Sequence, residues 1–138
     1  GAGAEDSALA FMLMDVDYFK QINDRYGHEH GDQVLSEISR LLKLALREQD
    51  YVGRWGGEEF LAVLPNADSR RAMQVAERVR QTVAQHDWQQ YGLDAPVTLS
   101  IGISQHQAGE VLGDSVSRAD AALYMGKHGG RNRVELAE

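Results

Sequence analysis

The sequence contains no cysteine, so neither a disulfide framework nor a thiolate metal site can form, and a reducing compartment suits it. It has no long apolar run either: the longest, residues 8–14, is strand-sized and far short of a membrane span. Basic residues are outnumbered, 14 Lys and Arg against 21 Asp and Glu, and the net charge of −7 argues against a general nucleic-acid-binding surface. That balance still leaves room for a small phosphorylated ligand held by a few local cations. No internal repeat, low-complexity tract or interdomain linker interrupts the 138 residues, a length that suits one domain with its own core. Nothing resembles a signal peptide. Gly1-Ala2-Gly3-Ala4 reads as a cloning remnant, and residues 1–7 are expected to be disordered or tag-derived.

What is present is most informative over residues 51–65. They read as two short strands joined by a turn that carries Glu58 and Glu59 side by side. Gly56-Gly57 is a hairpin signal, because glycine reaches the positive φ values that a tight turn uses. Residues 60–64 form an apolar run ended by Pro65, the pattern of a strand buried on both faces. Adjacent carboxylates repel, and a hard divalent cation relieves them; a solvated acidic turn is the alternative.

Residues 8–16 read as a central strand ending in Asp15-Val16-Asp17, and residues 18–26 as a short helix closed by Gly27. From Asp32, Val34, Leu35, Ile38, Leu41, Leu42 and Ala45 recur at helical spacing, predicting one helix to about Arg47. A second long helix carries Ala72, Val75, Ala76, Val79 and Val83. Val97, Leu99, Ile101 and Ile103 alternate with small polar residues, as in a strand with one apolar face. Val116, Ala119, Ala122 and Leu123 mark a last helix, and residues 133–136 a final edge strand. The order β-α-α-β-β-α-β-α-β predicts an α/β (α+β) fold, with a mixed central sheet of about five strands flanked by helices.

Asp15 ends a buried strand, where ligand-binding residues collect in α/β sheets, and with Glu58 or Glu59 it could hold Mg²⁺ on a nucleoside triphosphate. Its alternative role is a helix N-cap. Lys127 and Arg131 flank Gly129-Gly130, an arrangement that suits a polyphosphate or an ordinary helix C-terminus. Asn23 and Asp32 flank the predicted turn 27–31; an amide and a carboxylate can read a guanine edge, or simply cap helices. His28 and His30 lack a third ligand and are expected to face solvent. Arg47-Glu48-Gln49-Asp50 reads, on its residues alone, as a solvated helix end.

Five blocks in order resemble the GGDEF domain of bacterial diguanylate cyclases, in its GGEEF form, over residues 11–134. They are Met14-Asp15-Val16-Asp17-Tyr18-Phe19-Lys20-Gln21-Ile22-Asn23-Asp24; Tyr26-Gly27-His28 with Gly31-Asp32; Arg54-Trp55-Gly56-Gly57-Glu58-Glu59-Phe60; Thr98-Leu99-Ser100-Ile101-Gly102; and Ala119-Asp120-Ala121-Ala122-Leu123-Tyr124 running on to Gly130-Arg131-Asn132. The resemblance implies a nucleotide-cyclase palm-like fold and the joining of two GTP into cyclic di-GMP with release of two pyrophosphates. Asp15, the Val16 carbonyl and Glu58 would bind Mg²⁺, with Mn²⁺ as a substitute and Glu59 close to the metal. Glu58 and Glu59 would be the catalytic pair beside the ribose 3′-hydroxyl, one of them the general base. Asn23 and Asp32 would read guanine, while Lys20, Lys127 and Arg131, with backbone amides around Tyr18 and Phe19, would contact the triphosphate. Arg47 and Asp50 match an inhibitory site for the product, completed by Arg78 across a dimer.

The implied partners are GTP, cyclic di-GMP, a second copy of the domain, and a regulatory domain outside this chain. No nucleic acid polymer is expected, and the implied location is cytoplasmic, or the cytoplasmic face if the parent protein is membrane-anchored. The sequence departs from the family in two respects. The family's opening Asp-x-Leu-Thr-x-Leu-x-Asn-Arg segment and preceding helix are not read here, and Gly126 replaces a commoner alanine. Two rival readings are a GTP- or cyclic di-GMP-binding domain with little turnover, and a palm-type cyclase acting on a single nucleotide.

Overall fold

The computed structural model describes residues 8–138, so the expectations for residues 1–7 lie outside the described residues. Five strands form one sheet in the order β2-β3-β1-β4-β5. They are β1 (Leu9–Val16), β2 (Tyr51–Arg54), β3 (Glu59–Pro65), β4 (Leu99–Gln105) and β5 (Arg133–Leu136). All pairings are antiparallel except β4 with β5. The helices are α1 (Phe19–Tyr26), α2 (His28–Ala45), α3 (Ser69–Gln85) and α4 (Leu112–His128), with a 3₁₀ turn at Trp88–Tyr91. The mixed sheet flanked by helices is the architecture expected from the sequence.

β1 occupies the centre because seven of its eight residues are apolar, which suits a strand covered on both faces. Ala10, Met12, Met14 and Val16 enter the main core with the apolar stripes of α2 and α3, whereas Leu13 faces Ala119 and Leu123 of α4. Asp68 caps α3 by accepting from the Arg71 N–H at 2.9 Å, as a carboxylate at that position should.

Five local expectations are corrected. β3 is buried on one face only; Glu59, Leu61, Val63 and Pro65 are half-exposed, because α4 lies mainly over β1, β4 and β5, with Leu61 of β3 packed at its margin. β4 runs Leu99–Gln105, not from Val97, and is covered on both faces: Ser100 and Ser104 are buried with the apolar residues. At Gly102 a Cβ would stand 2.1 Å from the Ala119 carbonyl oxygen and 2.5 Å from the Leu123 nitrogen, so the small residues of β4 form a bed for the α4 backbone. α2 begins at His28, four residues earlier than the start expected at Asp32, because Gly27 at φ 92 turns the chain abruptly from α1 into α2. Finally, neither Gly56 nor Gly57 has a positive φ. The four residues between β2 and β3 close without a two-residue primed turn, and Trp55 N–H donates to the Glu59 carbonyl at 2.8 Å.

Candidate active site

Antiparallel pairing sets Asp15 opposite Glu59 on one side and opposite Ser100 on the other. Residues facing each other across such a ladder point to the same face. The Val16 N–H donates to the Glu58 carbonyl at 3.2 Å, bringing the hairpin backbone against the end of β1. The structure therefore assembles Asp15, Glu58 and Glu59, which the strand end and the hairpin carboxylates suggested, with Val16, which the resemblance added. α4 then brings Lys127 across, with its Nζ 3.0 Å from Asp15 Oδ2.

The electrostatics follow from crowding. Burial pushes the Asp15 carboxyl above its ordinary value; Lys127 opposes this, while Glu58 and Asp17 reinforce it. Burial likewise raises Glu59, helped by the nearby charges of Asp15, Asp120 and Glu58. Carboxylates held together against mutual repulsion suit a hard cation, and the Val16 and Glu58 backbones supply further oxygen-bearing groups beside them. Among the described residues, however, no three His, Asp or Glu side chains are already arranged to hold an ion.

α1 begins beside these groups. Tyr18 is left-handed at φ 57, no side chain caps the helix, and no acid occupies its first turn. Its leading N–H groups, with Lys20 exposed in the first turn, can receive an anion. The Arg131 guanidinium lies 4.7 Å from the centre of the Tyr18 ring, and Arg131 Nη1 donates to the Lys127 carbonyl at 3.4 Å. Lys127, Arg131, Tyr18 and Phe19 thus border the acidic cluster.

The capping alternatives for Asp15, Asn23 and Asp32 do not hold. Asp15 pairs with Lys127, while Asn23 lies within α1 and Asp32 within α2. Asn23 is pressed against α2 at Gly31, where a Cβ would stand 1.9 Å from its Oδ1, and that oxygen is buried without a hydrogen-bond partner. Asp32 is exposed and lines an open depression of about 560 Å³ with Leu35, Ser36 and Arg54. The depression adjoins the hairpin, because Arg54 also donates to the carbonyls of Gly56, at 3.4 Å, and Gly57.

Arg47, Asp50 and Arg78 lie elsewhere. Arg47 Nη2 donates to Asp50 Oδ1 at 3.1 Å and to the Pro65 carbonyl at 2.8 Å. Pro65 is at the opposite end of β3 from Glu59, roughly 20 Å away at the usual strand rise. Asp50 has a side chain only 1% exposed, so this segment is a packed clamp and not a solvated helix end. Arg78 donates to the Ala45 carbonyl at 2.8 Å, close to Arg47 in the same chain.

Two residues escaped the sequence reading. Asp17 is buried and accepts from Thr98 Oγ1 at 2.7 Å, Ser100 Oγ at 2.6 Å and the Asn132 N–H at 3.0 Å, tying the end of β1 to β4 and to the segment after α4. The Asp-x-Asp spacing and the hydroxyls of β4 were its signal. Arg54 braces the hairpin through the Gly56 and Gly57 carbonyls and lies 5.7 Å from the Phe60 ring centre. Its place immediately before Trp55-Gly56-Gly57 was the clue.

A family model described as "Diguanylate cyclase, GGDEF domain" matches residues 2–133. Diguanylate cyclase A of Treponema denticola is 42% identical over 138 residues, covering 99% of this chain and 37% of that protein. The active GGEEF domain of a diguanylate cyclase from Vibrio cholerae superposes with a TM-score of 0.89 at 36% identity, covering 96% of this chain and 84% of that one. The GGDEF domain of DgcB from Caulobacter crescentus, solved in complex with c-di-GMP, gives 0.88 at 32%, covering 94% and 77%. The chain spans about a third of the length of the curated relatives it matches, at 37% and 32% of the first two. A match across nearly all of its length, joined to the same fold at more than 30% identity, places this chain in the diguanylate cyclase GGDEF domain family.

Proposed function

We propose that this chain is a catalytic domain that condenses two GTP into cyclic di-GMP and two pyrophosphates. The observation that carries the reading is the meeting of Asp15, Glu58 and Glu59 with Lys127 beside the uncapped start of α1. Acidic groups for a metal and a proton thus stand next to cationic groups for phosphates. Mg²⁺ would be held by the Asp15 carboxylate, the Val16 carbonyl and Glu58, and when bound it supplies positive charge to the phosphate oxygens. Mn²⁺ would fit the same oxygen donors.

Lys20, Arg131 and the first N–H groups of α1 hold and orient the triphosphate. Asn23 and Asp32 select guanine; the unpartnered Asn23 Oδ1 is an acceptor waiting for a donor. Glu59, its pKa raised by burial and neighbouring acids, is the stronger candidate for taking the 3′-hydroxyl proton. The 3′-oxygen forms a bond to the α-phosphorus of a second GTP, the bond between that phosphorus and the β-phosphate bridge breaks, and pyrophosphate leaves. A second such exchange in the opposite direction closes the ring. Each domain binds one GTP, so two copies must face each other and turnover depends on protein concentration.

Incubation with GTP and Mg²⁺ at two protein concentrations, with chromatographic identification of the product, tests this. Cyclic di-GMP formed with a rate per molecule that rises with concentration is expected. GTP binding without turnover would favour a binding module, and a mononucleotide product a single-substrate cyclase.

Product binding at Arg47, Asp50 and Arg78 belongs to the same proposal. Arg47 is held by Asp50 and the Pro65 carbonyl while its side chain stays about a third exposed, so the guanidinium can present donors to a guanine edge. Calorimetry with cyclic di-GMP should show Arg78→Ala binding at least about tenfold more weakly, with GTP binding unchanged. Equal affinity would remove Arg78 from the site. Arg78 is the cleaner probe, because Arg47→Ala would also strand the buried Asp50 carboxylate.

A further inference from the structure

Asp15 is the carboxylate a metal would need most, and in this molecule Lys127 already occupies it at 3.0 Å. The pair joins positions 112 residues apart, so it is made by the fold and not by local sequence. Asp15 is almost wholly buried, its side chain 7% exposed, whereas the Lys127 side chain is a third exposed. Magnesium ordinarily takes six oxygens in strict geometry, usually one or two carboxylates with waters and substrate phosphates. A bare cation approaching this protein therefore meets a neutralised carboxylate and an ammonium in its way.

We propose that Lys127 is a counter-ion gate: it holds Asp15 closed to free divalent cations, which enter only as a complex with a nucleoside triphosphate, and Lys127 then moves from Asp15 to the phosphate chain. This rests on the metal assignment made above. The exchange never leaves the buried Asp15 carboxylate without a cation, which would be strongly unfavourable. Lysine suits the task, being a point charge on a flexible four-carbon stem. Arg131 does not share it, because its guanidinium is held over Tyr18 and against the Lys127 carbonyl. The gate couples the metal to its substrate, so that the acidic cluster is not filled by whichever divalent ion is abundant.

Mn²⁺ binding measured by electron paramagnetic resonance, without turnover, tests the gate in wild type, Lys127→Met and the double variant Lys127→Met/Asp15→Asn. Each is titrated with and without a non-hydrolysable GTP analogue, and circular dichroism checks the fold. An adjacent charge shifts an ionic equilibrium by roughly one to three decades, so Lys127→Met should bind Mn²⁺ alone at least about tenfold more tightly than wild type. The double variant should lose that gain, and Lys127→Met should bind the analogue more weakly. If wild type binds Mn²⁺ with the analogue but Lys127→Met shows no gain for Mn²⁺ alone, the gate is wrong and the metal site stands. If wild type binds no Mn²⁺ even with the analogue, the metal assignment fails and the gate falls with it.

Discussion

Glu59 stands opposite Asp15 across the β1–β3 ladder, with Glu58 beside it and Asp120 on the facing helix. Its raised pKa means that the folded state resists its ionisation, so the protein loses stability as pH rises through that value. Glu59→Gln should therefore raise the urea midpoint at neutral pH in metal-free buffer, while lowering turnover by roughly 10²–10⁴-fold, the usual effect of losing a general base. A lower midpoint, or turnover close to wild type, would contradict the role given to this residue. Stability and catalysis pull in opposite directions at such a position. The site residues were legible in sequence where chemistry is written into adjacent letters, as in Gly56-Gly57-Glu58-Glu59. Asp17 was not, because its partners Thr98, Ser100 and Asn132 lie 81, 83 and 115 positions away, a distance over which a single sequence carries no visible pairing.

Between elements, the contact that positions Lys127 is the bed of β4 beneath α4. Gly102 admits the helix because no side chain intervenes, and Ser104 Oγ donates to the Ser115 carbonyl at 2.6 Å near the other end of the contact. Gly102→Ala would press a methyl group into the Ala119 and Leu123 backbone, which cannot rotate away as a side chain could. Overpacking of this kind costs about 1–3 kcal/mol or more, and chemical denaturation should show it. A change below about 0.5 kcal/mol would mean that α4 can shift freely on the sheet. The helices and strands themselves were readable from periodicity, including the stripes of α2 and α3. The burial of β4 was misread for a physical reason: serine and glycine look like a solvent face in a single strand, yet they are also what a helix needs in order to lie close to a sheet. The start of α2 was missed because polar His28, Glu29 and His30 hid a helical turn that Gly27 makes possible.

At the scale of the molecule, two carboxylates outside the acidic cluster fasten neighbouring elements together. Arg40 foremost, with His86 and Tyr91, holds Glu37 at about 2, joining α2 to the segment after α3. Arg118 foremost, with Ser115, holds Glu110 at about 2 and secures the loop leading into α4. Carboxyls depressed in this way stabilise the fold above the ordinary value of 4.5, and that contribution disappears as pH falls from there towards about 2. Urea denaturation across this window should show stability declining, and Glu37→Gln should flatten the decline. Equal slopes in the two proteins would deny Glu37 its part. Asp15 and Glu59 act in the opposite sense, which makes the paired comparison more informative than the wild-type curve alone. The separation of 112 positions between Asp15 and Lys127 has one more consequence, this time for synthesis. A ribosome making about 5–20 residues per second delivers the acidic end of β1 roughly 5–25 seconds before the lysine that neutralises it. Until α4 has emerged, no truncated chain can complete the pocket, and the acidic end of β1 stands without the lysine that balances it.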